Sequence, residues 1–466
     1  MKKLTIILLL LLFASSAWAA TYYVRTDGHD TNCAGTHDAS DASTETDQCA
    51  FLTITKAESV LSATNTATTV YVADGNYTEN LTINVDGTSA DDRLAFQAAN
   101  EHQVIINGVV SITGDYVKFD GFKVLLPAQG ATALSAEGTY GLVSNNWLGV
   151  VEGFDNTWGN VYTTAFGGSN NTIKDNYIED GCMQVSLSGA NHIFQNNELY
   201  RPKLYSGCGD ADYVRIYGEG HLVKNNYLHG VRADEIGAAH TDGFQSFDNA
   251  GQIIKNVIFE DNTIETLNSC WILSMTVNKS ADNTGNIIRN NACYVEWNWG
   301  LDARYVGVEI YNNTFVIAGS GYFFYNVVDV DPVEPNHYSI VKNNIMVATN
   351  QSSVSPSSYN CANKTQGTDC KNNISYAVNY PTRYSAETFT GDQVNVDPKL
   401  NSLTDPTQFT LQSDSPAIGA GVDLSATGFS DDLDGTARGA AWDIGAYEYY
   451  EQGSIRGVAS MGVSKK

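Results

Sequence analysis

Residues 221–227 read HLVKNNY, a short apolar run followed by an Asn pair and an aromatic residue. An Asn or Asp followed by a second Asn recurs along the middle of the chain. The pairs are Asn145-Asn146, Asp175-Asn176, Asn196-Asn197, Asn225-Asn226, Asp261-Asn262, Asn290-Asn291, Asn312-Asn313, Asn343-Asn344 and Asn372-Asn373. The second Asn returns on average about every 28 residues, with separations between 21 and 36. A period of this size predicts a solenoid in which each repeat forms one coil.

Asparagine suits a tight turn because it tolerates the left-handed backbone region. Stacked once per coil, its side chain can also hydrogen-bond along an internal ladder. The leucine pattern of leucine-rich repeats is missing, and no long amphipathic helix separates the strands, which disfavours a βα barrel. We therefore predict an all-β chain, a right-handed parallel β-helix whose coils rise about 4.8 Å each.

The ends of such a solenoid are exposed strand edges that need a cover. Residues 53–63, TITKAESVLSA, predict a short N-terminal capping helix. We expect one β-helix domain over residues 21–450, including this cap and a C-terminal capping segment, and a flexible tail over residues 451–466.

Residues 1–20 read MKKLTIILLLLLFASSAWAA: two lysines, a short apolar run and a small-residue site at Ala17-Trp18-Ala19. This order is typical of a secretory signal peptide. The apolar run is shorter than the roughly 20 residues that span a bilayer. The sequence therefore predicts a secreted protein, extracellular or periplasmic.

The amino-acid composition limits the classes of molecule that this protein could bind. The chain has 52 Asp and Glu against 26 Lys and Arg, a formal net charge of −26. A nucleic-acid binder would need a basic face, and 42% hydrophobic residues is ample core material for a folded protein. We expect a monomer that binds neither nucleic acid nor membrane.

The eight cysteines fit an oxidising compartment. Two pairs flank polar loops and two are spaced close to the repeat length, so that stacking would place them on neighbouring coils. The predicted disulfides are Cys33–Cys49, Cys182–Cys208, Cys270–Cys293 and Cys361–Cys370.

Two terminal segments carry a family resemblance. The motifs YYVRTDG, TITKA and VYVADGNYTE within residues 22–79 resemble the opening of secreted pectate-lyase-like β-helix proteins. Residues 415–421 (SPAIGAG) and 443–448 (DIGAYE) resemble the terminal segment of choice-of-anchor Q β-helix proteins. The resemblance covers most of residues 21–450 and implies the fold. That superfamily includes polysaccharide lyases, glycoside hydrolases, uronate epimerases and non-catalytic surface proteins, so the fold alone chooses no chemistry.

Outward residues of one strand line up from coil to coil and would form a groove suited to a sugar polymer. Counting back from each Asn pair aligns residues 183–187, 213–217, 243–247, 271–275 and 301–305. The longest coil carries an extra run, RADEIGAA at 232–239, beside this face, and such insertions often carry function. The catalytic candidates are Arg215, His240, Asp242, Asp302 and Arg304. The substrate-binding candidates are Asp212, Gln245, Trp271, Trp297 and Trp299, with Asp210 nearby.

These residues support two reactions. In a lyase of a uronate polymer, Arg215 or Arg304, helped by Gln245, would neutralise the sugar carboxylate, and His240 or the other arginine would remove the adjacent carbon-bound proton. In a glycoside hydrolase, two of the predicted site aspartates would act as the carboxylate pair. The tryptophans offer flat faces for sugar rings in either case.

The same residues could instead have purely structural roles. Asp302 and Arg304 lie two apart and would pair with each other, and Trp271 beside Cys270 would serve packing equally well. The leading hypothesis is a secreted polysaccharide lyase, followed by a hydrolase. A non-catalytic carbohydrate-binding or surface protein is the third.

We assign no metal-ligating residue. Calcium is a possible cofactor, since β-helix enzymes that this chain resembles use it to bridge enzyme and uronate. The oxygen-rich clusters are Asp329, Asp331 and Glu334, and Asp431, Asp432 and Asp434, of which the latter more plausibly serves structure. No phosphate-binding glycine loop, zinc signature or nucleophile elbow occurs in the sequence.

Overall fold

The computed structural model describes residues 20–41, 47–61, 68–127, 131–151, 162–247, 251–275, 282–304, 306–319, 324–325, 340–350, 369–378 and 390–450. The predicted signal peptide, apart from Ala20, and the predicted tail lie outside these ranges, as do Cys361 and the cluster at 329–334. In the described part of the chain, no helix has the length and apolar character needed to cross a membrane.

Each coil runs through three parallel sheets in turn, which we number 1, 2 and 3. Sheet 1 has thirteen described strands: Thr21–Val24, Thr69–Val72, Leu94–Ala98, Val117–Asp120, Leu142–Ser144, Thr172–Lys174, Ile193–Gln195, Leu222–Lys224, Ile258–Glu260, Asn286–Arg289, Val308–Tyr311, Ile340–Lys342 and Asp369–Lys371. Sheet 2 also has thirteen: Gly75–Tyr77, Val104–Asn107, Lys123–Leu126, Trp147–Val150, Tyr177–Glu179, Glu198–Tyr200, Tyr227–His229, Thr263–Thr266, Ala292–Val295, Thr314–Ile317, Ile345–Ala348, Ile374–Ala377 and Gln393–Val394. Sheet 3 has ten: Leu81–Ile83, Val110–Ile112, Thr132–Ala136, Tyr162–Phe166, Met183–Leu187, Asp212–Ile216, Asp242–Phe247, Ser269–Ser274, Trp299–Arg304 and Phe324–Tyr325. A small additional sheet pairs Gly218–Glu219 with Ile254–Lys255.

The helices are short. Helix α1 spans Ile54–Ser59, and the hydroxyl of Thr53 accepts a hydrogen bond from the Lys56 N–H at 3.1 Å, a side-chain cap of the helix start. Ile54 and Ala57 of α1 are buried in the core beside the first coils, where the capping helix was predicted. The described helix is shorter than the predicted segment 53–63. Helix α2 spans Ala233–Ile236, and 3₁₀ turns lie at Pro406–Gln408 and Ser425–Thr427.

The Asn pairs form the turn from sheet 1 to sheet 2. The first residue of all nine pairs has a positive φ, between 49° and 58°. The second is buried: Asn226 donates from its backbone N and its Nδ2 to Oδ1 of Asn262, at 3.0 and 2.9 Å. The same pair of bonds repeats from Asn146 to Asn373 and ends on Asp392. Both predictions for these residues, the left-handed turn and the internal ladder, are confirmed.

A second ladder of buried side chains lines another turn. The Asn171 backbone N–H donates to Nδ1 of His192, and the His192 N–H donates to Nδ1 of His221, both at 3.2 Å. The two imidazole rings stack at 5.1 Å, and each Nε2 lies within 2.9 Å of a backbone oxygen. Because Nδ1 accepts, each ring is neutral with its proton on Nε2. Burial lowers the pKa of His192, and it lowers that of His221 to about 4.

Three of the predicted disulfides are confirmed: Cys33–Cys49, Cys182–Cys208 and Cys270–Cys293. The fourth involves Cys361 and falls outside the described residues. The three bonds fit a protein made for an oxidising compartment.

The C-terminal segment, residues 390–450, lies along the side of the coils. Its backbone oxygens accept hydrogen bonds from the turn residues Asn372, Asn343, Asn312 and Asn290, in that order toward earlier coils. Its apolar side chains, including those at 409, 411, 433, 444 and 447, cover the outer face of sheet 2 at residues 292, 316, 345, 347 and 374. The resemblance of this segment to choice-of-anchor Q proteins stays a prediction.

Candidate functional site

Sheet 3 brings three of the predicted polar residues, Arg215, Gln245 and Asp302, together on its outward face. Strand pairing places Ser186, Arg215, Gln245, Ile272 and Asp302 in register on five successive coils. We call this row the site column. Adjacent coils are about 4.8 Å apart, so neighbouring members are within side-chain reach of each other.

Arg215 is held along one edge of its guanidinium group. Nε and an Nη2 hydrogen donate to Oε1 of Gln245 at 3.2 and 2.8 Å, and Nη2 also donates to Oδ2 of Asp212 at 3.1 Å. Asp210 lies 3.5 Å from the same Nη2. Nη1 makes no hydrogen bond to the described residues, and the side chain is 20% exposed. The edge of the planar guanidinium group that carries Nη1 can therefore bind an anion.

Gln245 links Arg215 to a second aspartate. Its Nε2 donates to Oδ2 of Asp242 at 2.9 Å, and the Asp242 backbone N–H donates to Oδ1 of Asp212 at 3.0 Å. Asp212, Arg215, Gln245 and Asp242 thus form one network over two coils. Oδ1 of Asp242 and the hydroxyl of Ser269 on the next coil are buried, and a hydrogen bond from Ser269 lowers the pKa of Asp242.

Both buried carboxyl groups have raised pKa values. Burial and the neighbouring Asp242 raise the pKa of Asp212, and Arg215 opposes that rise. Burial raises the pKa of Asp242 to about 6, opposed by the charge of His240 and the hydrogen bond from Gln245. The charge around Arg215 therefore becomes more negative as Asp242 ionises near pH 6.

Asp302 and Arg304 do pair with each other. Nε of Arg304 donates to Oδ1 of Asp302 at 3.2 Å, and Nη2 lies 3.1 Å from Oδ2. Asp302 is almost fully buried, whereas the Arg304 side chain is 36% exposed. Asp302 orients an arginine that remains open to solvent.

His240 is exposed at the start of the Asp242–Phe247 strand. Its backbone oxygen accepts a hydrogen bond from the Ala211 N–H at 2.8 Å, which fixes the backbone of the residue beside the network. Its charge acts on Asp242, and an exposed imidazole near that carboxyl group could exchange a proton with a bound molecule.

The insertion forms a wall beside this face. Ile236 of α2 packs with Ala211 and Leu267, and Trp297 packs against the same cluster. Glu235 pairs with Arg201, whose Nε donates at 2.8 Å. The Cys182–Cys208 disulfide ties down the neighbouring loop. Trp297 is half-buried and supports this wall, and its role as a sugar platform stays a prediction.

The prediction that Trp271 binds sugar is wrong, because its ring is 0% exposed and packs inside the coils against Phe244, Phe259 and Phe315. The alignment from the Asn pairs set Trp271 opposite Gly243, whereas the strand register pairs it with Phe244. A slip of one residue moves a side chain from one face of a sheet to the other.

Trp299 is half-buried and pairs in register with Ser269, which pairs with Asp242. It therefore lies in line with the aspartates, where a sugar platform would be useful. Phe247 was not predicted as a site residue: it is 37% exposed, and the Arg215 guanidinium lies 4.6 Å from its ring centre. The sequence feature that could have identified Phe247 as a site residue is its position at the end of the run HTDGFQSF.

The described residues offer no ready cage for calcium. Their single group of three metal-ligand side chains with ligand atoms within 4.8 Å of one another is Cys33, Asp41 and Cys49, whose two sulfurs form a disulfide. Asp432 accepts the backbone N–H groups of Asp434, Thr436 and Glu448, a structural role within the terminal segment. The calcium requirement stays a prediction.

Comparison with solved structures gives a full-length likeness. Pectate lyase Pel9A superposes with a TM-score of 0.53 at 18% identity, covering 92% of this chain and 96% of its own. The fold is a right-handed parallel β-helix like that of pectate lyase. The complex of XylC with xylose has a TM-score of 0.46 at 12% identity, covering 92% and 98%. A PL6 family polysaccharide lyase from Pseudopedobacter saltans has 0.43 at 15%, covering 74% and 95%.

No protein-family model and no curated protein sequence matches the chain. At these identities the likeness extends to the path of the backbone, and the chemistry has to be argued from the site itself.

Proposed function

We propose that this chain is an exported polysaccharide lyase that cleaves a uronate-containing polymer by β-elimination. The observation that carries the proposal is Arg215: its guanidinium is fixed by Asp212 and Gln245, yet its Nη1 edge is unused by the described residues. A fork held in this way is pre-organised to bind a carboxylate. The lyase-type fold and the three disulfides support the proposal at the level of class and compartment.

In the proposed reaction, Arg215 neutralises the uronate carboxylate, which makes the hydrogen on the adjacent carbon more acidic. His240 takes that proton as general base. The electron pair forms a carbon–carbon double bond in the sugar ring, and the glycosidic carbon–oxygen bond breaks. The leaving oxygen takes a proton from the His240 imidazolium or from water. Trp299 and Phe247 offer faces for the flanking sugar rings.

The hydrolase alternative is less well supported. Asp212 and Asp242 are both 0% exposed, and Asp302 is committed to Arg304. The two carboxylates of a hydrolase must flank the scissile bond, about 5–9.5 Å apart. These aspartates are buried away from the surface on which a sugar would bind. A non-catalytic carbohydrate-binding role remains the alternative that the test below separates.

The test is turnover on a panel of acidic and neutral polysaccharides, including pectate and alginate, with and without calcium. Ultraviolet absorbance and new reducing ends are followed together. We expect both to rise on a uronate polymer and both to be lost in His240→Ala and Arg215→Ala. Reducing ends without absorbance would mean hydrolysis. Binding without either signal would mean a carbohydrate-binding protein.

A further inference from the structure

We propose that Arg304, held by Asp302, is a second carboxylate-binding subsite that works together with Arg215 on one substrate chain. The inference rests on the proposed uronate substrate and adds a requirement for substrate length. Both arginines project from sheet 3, each is oriented by a buried aspartate, and both remain partly exposed, Arg215 at 20% and Arg304 at 36%.

The register of the strands sets the distance between them. Arg215, Gln245, Ile272 and Asp302 occupy successive coils, and Arg304 lies two residues beyond Asp302 on the same strand. Three coils at about 4.8 Å and two residues at about 3.3 Å place the two Cα atoms roughly 16 Å apart. Most of that separation is along the axis of the β-helix.

The described sheet 3 residues that lie in register between the two arginines are uncharged. Gln245 and Ile272 continue the site column, and Phe247 pairs in register with Ser274, which pairs with Arg304. Phe247 is 37% exposed and offers an apolar face. A substrate chain along the axis would meet a cation at each end and neutral side chains in the middle. Sugar units in the middle are therefore contacted through rings and hydroxyls, and the two terminal units through carboxylates.

The overall charge of the protein favours a substrate that contacts both subsites. The chain carries a net charge of −26, so a polyanion is repelled unless local cations compensate. Two arginines that engage one chain act as linked sites, and binding at the second becomes intramolecular once the first is occupied. Only an oligomer long enough to bridge them gains this advantage, and a disaccharide is too short.

The experiment measures binding by calorimetry for oligogalacturonates and oligoalginates from the disaccharide to the octasaccharide. The proteins are the wild type, Arg304→Lys, Arg304→Gln and Arg215→Gln. Arg25→Gln is the matched control, because Arg25 is also a partly exposed arginine held by aspartates, Asp27 and Asp38, but directly follows the first strand of sheet 1. Thermal melting verifies that each variant is folded. Arg304→Lys keeps a cation beside buried Asp302 and removes only the planar fork.

Both Arg304 variants should weaken binding of the longest oligomers at least about tenfold and leave the shortest unchanged. Arg215→Gln should weaken binding at every length, and Arg25→Gln at none. An equal effect of Arg304 variants at all lengths, no effect at any length, or a wild type that binds no oligomer would overturn the subsite. Length-dependent binding without turnover would reject the lyase and keep the subsite. Turnover of a uronate polymer that is unchanged in the Arg304 variants would keep the lyase and reject the subsite.

Discussion

The guanidinium group of Arg215 donates two hydrogen bonds to one oxygen, Oε1 of Gln245, at 3.2 and 2.8 Å. Because the carbonyl oxygen of the amide is used on that side, Nε2 is left to donate to Asp242 at 2.9 Å. A single neutral side chain therefore joins the cation of one coil to the carboxyl group of the next. The position of the Arg215 guanidinium group therefore depends on both coils.

Replacing Arg215 by lysine should lower turnover on the substrate polymer by roughly tenfold to a hundredfold, because hydrogen bonds to charged groups contribute about 1.5–3 kcal/mol each. A lysine ammonium cannot bond Gln245 and a substrate carboxylate in one plane. Steady-state kinetics measure the change, with Arg25→Lys as the control. Unchanged kinetics in Arg215→Lys would mean that the fork does not contact the substrate.

Asp242→Asn should reduce the pH dependence of substrate binding. In the wild type, binding of a uronate oligomer should weaken as pH rises through about 6, where Asp242 ionises. The added negative charge near Arg215 opposes the substrate by about 1–2 kcal/mol, roughly tenfold in affinity. The amide cannot ionise, so affinity should change less across that pH in the variant than in the wild type, and any remaining change would come from Asp212. Calorimetry from pH 5 to pH 8 measures this, and identical profiles in the two proteins would contradict it.

His221→Asn should change how stability depends on pH. The folded pKa of His221 is lowered to about 4, so unfolded chains take up a proton between about pH 6.5 and pH 4 while folded chains do not. The contribution of His221 to the free energy of unfolding is complete above pH 6.5. As the pH falls from 6.5 to 4, this contribution decreases by about 1.4 kcal/mol per pH unit. Asparagine keeps an acceptor for the His192 N–H and does not titrate. Urea unfolding should show a flatter profile for His221→Asn, whereas exposed His37→Asn should follow the wild type.

Asn262→Ala should destabilise the protein by several kcal/mol. It removes the acceptor for the buried Asn226 backbone N–H, and an unsatisfied buried group costs about 1–3 kcal/mol. The Asn226 side chain loses its acceptor as well. Denaturant unfolding measures the loss, and the exposed Asn84→Ala should stay within about 0.5 kcal/mol of wild type. Equal stability of the two variants would mean that the ladder contributes little.

Trp271→Phe should leave turnover unchanged. The ring lies among aromatic core residues, and its Nε1 is buried without a partner in the described structure. Losing the polar N–H offsets part of the lost packing, so stability should change by less than about 1.5 kcal/mol. Loss of activity in a variant with unchanged melting would show that substrate reaches this ring.

The fold was predictable because its signal is repeated. Nine Asn pairs impose the same left-handed turn and the same ladder, and an error in one repeat is corrected by the others. Two of the described disulfides, Cys182–Cys208 and Cys270–Cys293, followed from the same spacing. The site was less predictable, because it depends on the register of single strands, and the number of residues between a sheet 3 strand and the next Asn pair differs from coil to coil. Trp271 shows the consequence.

Pairings within one strand were easier to anticipate than links between strands. Asp302 and Arg304 are two residues apart, and their pairing follows from alternation along a strand. The Gln245 bridge between Arg215 and Asp242 spans coils of different length, and the interior position of Asp212 depends on packing that the local sequence does not encode.

The backward course of residues 390–450 determines the order in which the coils can be completed during synthesis. Arg438 donates to Oδ1 of Asn290 at 2.9 Å, and the Ala446 N–H donates to the hydroxyl of Thr314 at 3.0 Å. Coils made well before the end of the chain therefore receive their outer cover only after its last segment has emerged. The N-terminal coils can close one upon another as they appear, whereas the later ones must wait with an apolar flank open to water.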